Sequence, residues 1–136
     1  MPAAETFFDT NVLLYLLSED TAKADRAEDL VANGGVISVQ VLTEFAAVAS
    51  RKLGMSWGEI RDIFIPIRAV CEIEPLTVET HDRGIEIADR YGLSFYDATI
   101  VASALDAGCK TLYFEDLQDG QVIGRQLKIR NPFAVP

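Results

Sequence analysis

Apolar residues follow two patterns along this chain: short runs of strand character, and longer segments in which apolar positions recur every three or four residues. The short runs predict strands over residues 6–8, 36–38, 72–76, 110–114 and 127–129. The longer segments predict helices over 12–17, 22–32 and 39–53, and three more that begin near residues 56, 77 and 94. Strands that alternate with helices are typical of an α/β fold, in which helices cover both faces of a mainly parallel sheet.

Two prolines and one capping signal refine these boundaries. Ser56, with Glu59 three residues later, matches a capping box, in which each side chain accepts the backbone N–H of the other residue. Pro66 lies inside the helix that follows and is expected to kink or break it, because proline has no N–H to donate. For the same reason, Pro75 limits the strand over 72–76 to an edge or an end of the sheet.

Length and composition indicate one globular domain over residues 1–136, with 49% apolar residues and room for a substantial core. Residues 1–5 lack the basic and apolar stretches of a secretory signal, and charged residues interrupt every long apolar segment. We therefore expect neither secretion nor a membrane span. Cys71 and Cys109 are too few and too far apart for a disulfide framework, so we expect buried thiols in a cytoplasmic protein.

The formal net charge of −9 argues against a general, charge-driven affinity for nucleic acid, because phosphate contacts depend on Lys and Arg. It does not exclude an enzyme that acts on nucleic acid. Acids that gather around a divalent cation make such a protein more acidic, while the bound cation reverses the local field. A negative surface would also suit a basic partner.

Asp9 and Asp116 each follow a predicted strand. The carboxyl ends of parallel strands meet at one edge of a sheet, where open α/β sheets bind their ligands, so we expect both acids at that edge. Thr10 or Asn11 is expected to cap the helix after Asp9. The alternative interpretation is that Asp9 is only a turn or capping residue, and that Asp116, which shares its loop with two other acids, is only a solvated loop acid.

Glu44 and Asp97 fall on predicted helices in apolar surroundings. Glu44 lies beside an apolar helix face, where an unpaired charge is costly; alternatively it is an acid at the rim that pairs with Arg51 or Lys52. Asp97 takes the third helical position if Ser94 is the cap, and an acid there also satisfies the free N–H groups and the dipole of the helix. Both roles are compatible, because a helix start that faces the sheet edge can supply a metal ligand.

Carboxylates without a nearby set of His or Cys favour a hard cation, Mg²⁺ or Mn²⁺, over zinc. Such an ion, held together with water and substrate phosphate, is suited to phosphodiester hydrolysis, in which one acid can act as general base. The single histidine, His81, lies in a polar stretch and is expected at the surface, which gives a Ser–His–Asp triad little support. The sequence contains no glycine-rich phosphate-binding motif of the Rossmann or P-loop type.

Four segments that carry these acids resemble the PIN domain family, and more closely the VapC-type toxins of bacterial and archaeal toxin–antitoxin pairs. The segments are residues 8–11, 37–45, 93–98 and 113–120, so the resemblance spans almost the whole chain. It implies a PIN-like α/β/α sandwich with a central, mainly parallel sheet of short strands. It also implies Mg²⁺- or Mn²⁺-dependent endoribonuclease activity.

The same resemblance implies roles for residues and partners. It implies four metal-binding and catalytic carboxylates, at Asp9, Glu44, Asp97 and Asp116. It also implies that Asn11 helps to order the site. The partners that it implies are an RNA substrate, a second copy in a homodimer, and a small VapB-like antitoxin whose tail lies across the site. The basic residues available to RNA are scattered, and the sequence does not choose among Arg51, Lys52, Arg90, Lys110, Arg125, Lys128 and Arg130.

One position departs from the family pattern. A Ser or Thr is common two residues before the last acid, and Phe114 occupies that place. The resemblance therefore does not fix how the loop that carries Asp116 is ordered, and Asp119 is a candidate for an additional acid.

Two alternative functions remain. A strand followed by Asp9 also resembles haloacid dehalogenase-type phosphotransfer enzymes, which use the first acid of Asp-x-Asp as nucleophile, but Asn11 stands at the second position. The other alternative is a non-catalytic, receiver-like or metal-binding interaction module that acts through a partner. The presence of all four acids of the family pattern favours the enzyme.

Overall fold

The computed structural model describes residues 5–134. The prediction that residues 1–5 carry no secretory signal therefore falls mostly outside the described residues. The strands are β1 (Thr6–Phe8), β2 (Gly35–Ser38), β3 (Cys71–Glu74), β4 (Thr111–Tyr113), β5 (Val122–Ile123) and β6 (Leu127–Arg130). The helices are α1 (Thr10–Tyr15), α2 (Thr21–Ala32), α3 (Val39–Arg51), α4 (Trp57–Val70), α5 (Val78–Tyr91) and α6 (Phe95–Asp106). Two helices thus separate each strand from the next as far as β4.

The strands form one sheet in the order β3-β2-β1-β4-β6-β5. All neighbouring pairs are parallel except β5 and β6, which are antiparallel. In the central pair, Phe8 of β1 lies in register with Tyr113 of β4. Asp9 and the loop that carries Asp116 therefore leave the sheet at the same edge, as the sequence predicts.

Both faces of this sheet are buried. Phe7 and Phe8 are successive residues of β1, so their side chains point to opposite faces, and both are 0% exposed. Leu112 of β4 and Ile37 of β2 are equally inaccessible. The prediction of an α/β fold with a mainly parallel sheet of short strands covered by helices is confirmed.

Most helices begin directly after a residue whose side chain caps them. Ser56 and Glu59 form the predicted capping box, with bonds of 3.1 Å to the Ser56 hydroxyl and 2.9 Å to the Glu59 carboxylate. Ser94 caps α6, and Thr77 caps α5. These side chains satisfy backbone N–H groups that have no partner within the helix, which is why they mark its start.

Of the two effects expected of Pro66, a kink or a break, the break does not occur. The helix α4 runs through this residue without interruption. Pro66 and Asp62, whose carbonyl loses its helical donor, are both exposed, so water can satisfy that carbonyl. Ile60 and Ile67 are buried on the inner face and hold the helix in place on both sides of the proline.

The strand β5 was not predicted from the sequence, because two residues are too few to form a pattern. It turns back onto β6 through Gly124 and Arg125, which both have a φ of 63°. A left-handed backbone at this turn matches the twist that a tight antiparallel connection needs.

Cys71 and Cys109 are buried free thiols, as predicted. Burial raises the pKa of the Cys71 thiol to about 11 and that of the Cys109 thiol to about 12. None of the helices within residues 5–134 is long and apolar enough to cross a membrane.

Candidate functional site

Asp9 is fixed at the junction of β1 and α1. Its backbone N–H donates to the Tyr113 carbonyl of β4 at 3.1 Å, which continues the pairing of the central strands. Its side chain caps α1, because the Asn11 N–H donates to Asp9 Oδ2 at 3.4 Å. The prediction that Thr10 or Asn11 would cap this helix is therefore wrong, and α1 begins two residues earlier than expected, at Thr10.

Burial sets the charge state of this aspartate. Only 5% of Asp9 is exposed, and its burial raises the pKa of the carboxyl from 3.8 to about 7. The backbone N–H groups of Thr10 and Asn11 favour the charged form and oppose this shift, whereas the negative charges of Glu44 and Asp97 add to it. The carboxyl can therefore gain or lose a proton near neutral pH, as groups at functional sites often do.

Glu44 approaches Asp9 from α3 and is half-buried. One turn earlier, the Gln40 side chain donates through Nε2 to Glu44 Oε1 at 2.9 Å and to the Tyr96 carbonyl at 3.2 Å. This amide ties α3 to the first turn of α6. Burial raises the pKa of the Glu44 carboxyl, the bond from Gln40 opposes the rise, and the charge of Asp97 adds to it.

Asp97 lies in the first turn of α6, at the third helical position, as predicted. Its backbone N–H donates to Ser94 Oγ at 3.1 Å, so Ser94 is the cap. Burial is the main cause that raises the pKa of the half-buried Asp97 carboxyl, a hydrogen bond with Ser94 opposes the rise, and the charge of Asp116 adds to it. The position of Asp97 in the first turn of α6 is confirmed, and the charge of Asp116 acts on its carboxyl; its role as a metal ligand stays a prediction.

The two candidate acids of the loop after β4 make different contacts. Asn11 Nδ2 donates to Asp116 Oδ2 at 3.2 Å, so this carboxylate is joined to the first turn of α1. Asp119 Oδ1 instead accepts the backbone N–H of Asn131 at 2.8 Å. Asp116 is therefore the loop acid that lies beside Asn11, whereas Asp119 holds the chain after β6.

The loop is ordered through the residue next to Phe114. The Phe114 ring is buried, and its N–H donates to the Arg130 carbonyl at 2.9 Å. Glu115 accepts the Tyr15 hydroxyl at 2.8 Å, and its second oxygen lies 3.9 Å from Lys23 Nζ. The bond to Glu115 raises the pKa of the Tyr15 hydroxyl. These contacts hold the loop in place although Phe114 stands at the position where the family pattern favours Ser or Thr.

The acids have no cationic side chain among them. No Lys, Arg or His within residues 5–134 forms an ion pair with any of the four predicted acids, so the alternative pairing of Glu44 with Arg51 or Lys52 does not occur. In the same part of the chain, no three His, Cys, Asp or Glu side chains come close enough together to hold a metal ion by themselves. An open set of carboxylate oxygens fits Mg²⁺, which proteins usually hold by one or two carboxylates plus water and phosphate.

Two contacts at this site were not predicted from the sequence. Gln40 precedes Glu44 by four residues, a spacing that places both on one helix face and that could have identified the pair. The bond between Tyr15 and Glu115 joins residues 100 positions apart, and the sequence carries no signal for it.

His81 lies at the surface, as predicted. Its Nδ1 lies 3.4 Å from Asp82 Oδ1, and its ring packs edge-on against Phe95 with centroids 5.1 Å apart. Within residues 5–134, no serine hydroxyl hydrogen-bonds to this imidazole. The structure therefore offers no support for a Ser–His–Asp triad.

Solved structures with a similar fold come from toxin–antitoxin systems. Mycobacterium tuberculosis VapC20, described as a sarcin-ricin loop cleaving toxin, has a TM-score of 0.67 and 24% identity over 82% of this chain and 89% of that one. A toxin–antitoxin complex from Klebsiella pneumoniae has a TM-score of 0.72 and 19% identity over 96% and 99%. VapBC2 from Rickettsia felis, bound to a DNA fragment from its promoter, has a TM-score of 0.59 and 19% identity over 82% and 87%.

Comparison at the level of sequence gives the family. No protein of curated function matches the chain. Residues 6–119 match the PIN domain, and this segment contains the strands β1 to β4 and all four predicted acids. The chain therefore belongs to the PIN domain family.

Proposed function

We propose that this protein is a metal-dependent endoribonuclease toxin, with its catalytic centre at Asp9, Glu44, Asp97 and Asp116. The observation that carries the proposal is the buried Asp9 carboxyl, which lies within the electrostatic reach of other acids and forms no ion pair within residues 5–134. The similar structures from toxin–antitoxin systems, one of them a sarcin-ricin loop cleaving toxin, support the same function.

The proposed cofactor is Mg²⁺ or Mn²⁺, and the residues that would hold it are the four carboxylates. When bound, the cation supplies Lewis-acid activation of a water and neutralises charge on the phosphate. Gln40 orients the Glu44 carboxyl and Asn11 orients that of Asp116, and both do so through neutral amides. The chain thus positions two acids without cancelling their charge, which leaves that charge available to a cation.

We further propose that a VapB-like antitoxin neutralises the protein and that the chain forms a homodimer in the cytoplasm. The complexes from Klebsiella pneumoniae and Rickettsia felis support a protein partner. Large apolar side chains that remain exposed, such as Trp57, Ile65 and Val78, are suited to contacts with other chains.

Cleavage of a total RNA pool by the purified protein tests the nuclease. Wild type, Asp9→Asn and Asp119→Asn are compared with Mg²⁺ and with chelator; Asp119→Asn is the matched control, because it removes the same charge from an exposed position. We expect discrete fragments from wild type and Asp119→Asn with Mg²⁺, and none from Asp9→Asn or with chelator. Intact RNA after incubation with folded, antitoxin-free wild type, or equal cleavage by Asp9→Asn, would contradict the proposal.

A further inference from the structure

A cleft of about 560 Å³ lies between the start of α2 and the segment after β6. We call it the Lys23 cleft, and its walls are Asp20, Ala22, Lys23, Arg26, Pro132, Phe133 and Ala134. Cavities that bind small molecules usually have volumes of about 300–1,000 Å³, so the cleft has room for a nucleotide.

Two cations line this cleft. Arg26 is exposed, and its Nε donates to the Pro132 carbonyl at 2.8 Å, which holds the guanidinium against the wall. Within residues 5–134, its remaining nitrogens have no hydrogen bond or ion pair and are open to an anion. The other cation is Lys23, whose Nζ lies 3.5 Å from the Tyr15 hydroxyl and 3.9 Å from Glu115 Oε2. Asp20, the one acid among these wall residues, caps α2 by accepting the Lys23 N–H at 3.3 Å.

Aromatic rings lie next to these cations. Phe133 and Tyr15 meet edge to face with ring centroids 4.5 Å apart. Lys23 Nζ lies 4.9 Å from the centroid of the Tyr15 ring and 5.3 Å from that of Phe133. Cations beside aromatic rings suit single-stranded nucleic acid, because the cations contact phosphates while the bases stack on the rings.

The Lys23 cleft adjoins the acid cluster through the loop after β4. The Tyr15 hydroxyl and Lys23 both contact Glu115, the residue before Asp116. Asp116 in turn accepts the Asn11 side chain. An RNA strand whose phosphodiester bond reaches the acids would therefore place a neighbouring nucleotide at the cleft.

We propose that the Lys23 cleft binds a nucleotide of the RNA substrate next to the bond that is cleaved, with Arg26 and Lys23 at its phosphate and Phe133 at its base. The inference rests on the proposed nuclease function. A protein with a net charge of −9 has no general attraction for RNA, so its affinity must come from local groups of cations. Arg26 and Lys23 form such a group in the Lys23 cleft, beside the loop that carries Asp116.

Binding of a fluorescent single-stranded RNA pool, measured by anisotropy across a salt series, tests this inference. The measurement uses the Asp9→Asn protein, so that binding is separated from cleavage. Arg26→Gln should weaken binding and reduce the slope of log Kobs against log salt by about 0.7, the value for one lost phosphate contact on a single strand. Arg26→Lys keeps the charge and should keep the slope, and Arg61→Gln, which removes the same charge from an exposed position on α4, is the matched control.

Phe133→Ala gives a second, independent readout. It should weaken binding at every salt concentration without a change of slope, because stacking of a base on the ring involves no charge. A reduced slope in Arg26→Gln together with an unchanged slope in Phe133→Ala is therefore the pattern that supports the nucleotide site.

The outcomes separate this inference from the nuclease itself. If wild type cleaves RNA while Arg26→Gln and Arg61→Gln bind it with equal affinity and slope, the inference is overturned and the nuclease stands. If wild type neither cleaves nor binds RNA, both the nuclease and the nucleotide site are overturned.

Discussion

Asp9 combines a structural role with an electrostatic cost. The unfolded chain ionises this carboxyl at its ordinary pKa of 3.8, whereas the folded protein ionises it at about 7. Between these values the folded protein holds a proton that the unfolded chain has lost, so the free energy of unfolding falls as the pH rises. At about 1.4 kcal/mol per pKa unit, the full loss above neutral pH is on the order of 4 kcal/mol.

Asp9→Asn should therefore stabilise the metal-free protein, and more so at high pH. Asparagine caps helices about as well as aspartate, so the start of α1 is preserved. The gain in free energy of unfolding should grow by roughly 3 kcal/mol between about pH 5 and about pH 8, because over most of this interval folded wild type holds a proton that its unfolded chain has lost. Urea unfolding with chelator at both pH values measures the gain.

Asp119→Asn is the control for this prediction, because it removes a loop carboxylate that is exposed. The difference between this variant and wild type should stay nearly constant over the same pH interval. If the gain in free energy of unfolding in Asp9→Asn is equal at both pH values, burial does not shift the pKa of the Asp9 carboxyl.

At the scale of residues, the sequence identifies the acids better than it identifies the caps and hydrogen-bond partners around them. Asp9 and Asp97 stand out because each follows a strand or opens a helix in apolar surroundings. The sequence offers Asp9, Thr10 and Asn11 as caps of this helix, because all three residue types cap well and the sequence does not show which side chain turns back. The contact between Tyr15 and Glu115 depends on the pairing of β1 with β4, which local pattern does not encode.

At the scale of elements, close packing of α5 against α6 holds Asp97 in place. Gly84 of α5 is buried against α6, and a Cβ at this position would lie 2.6 Å from Thr99 Cγ2. All residues from Ala98 to Leu105 are buried, so this part of α6 is packed on every side. Glycine at position 84 therefore permits the approach of the two helices.

Gly84→Ala should destabilise the protein by about 1–3 kcal/mol, the usual cost of overpacking. Gly58 is the matched control, because it also lies in a helix but has only Ser56 Oγ, at 3.8 Å, near its added Cβ. Gly58→Ala should stabilise the protein by about 0.5–1 kcal/mol, since alanine favours the helix. Equal changes in urea midpoint for the two variants would contradict the proposed packing.

The elements themselves were largely predictable, because caps and apolar periodicity are local. Pro66 shows where local rules fail: propensity predicts a break, but buried Ile60 and Ile67 keep α4 continuous. The short strand β5 shows a second limit, because it exists only through its pairing with β6. Tertiary contacts decide both cases.

At the scale of the whole molecule, the topology brings distant acids together. The central strands β1 and β4 are neighbours although most of the chain separates them, so Asn11 reaches Asp116 across 105 positions. Alternation of strands and helices predicts this shared edge, because parallel strands present their carboxyl ends on the same side. The basic residues that would contact RNA were not predictable, because Arg26 and Lys23 meet Phe133 only in the folded chain.

If the four acids hold one divalent cation, Mg²⁺ must stabilise the folded protein by mass action, by about 2.7 kcal/mol at a concentration 100-fold above Kd. The most direct measurement is the Tm of wild type, Asp9→Asn and Asp119→Asn at about pH 8 across a Mg²⁺ titration, where the carboxyl of Asp9 is ionised. We expect the Tm of wild type and Asp119→Asn to rise with Mg²⁺, and that of Asp9→Asn to stay constant. An equal rise in Asp9→Asn, or no rise in wild type, would contradict a metal centre at these acids.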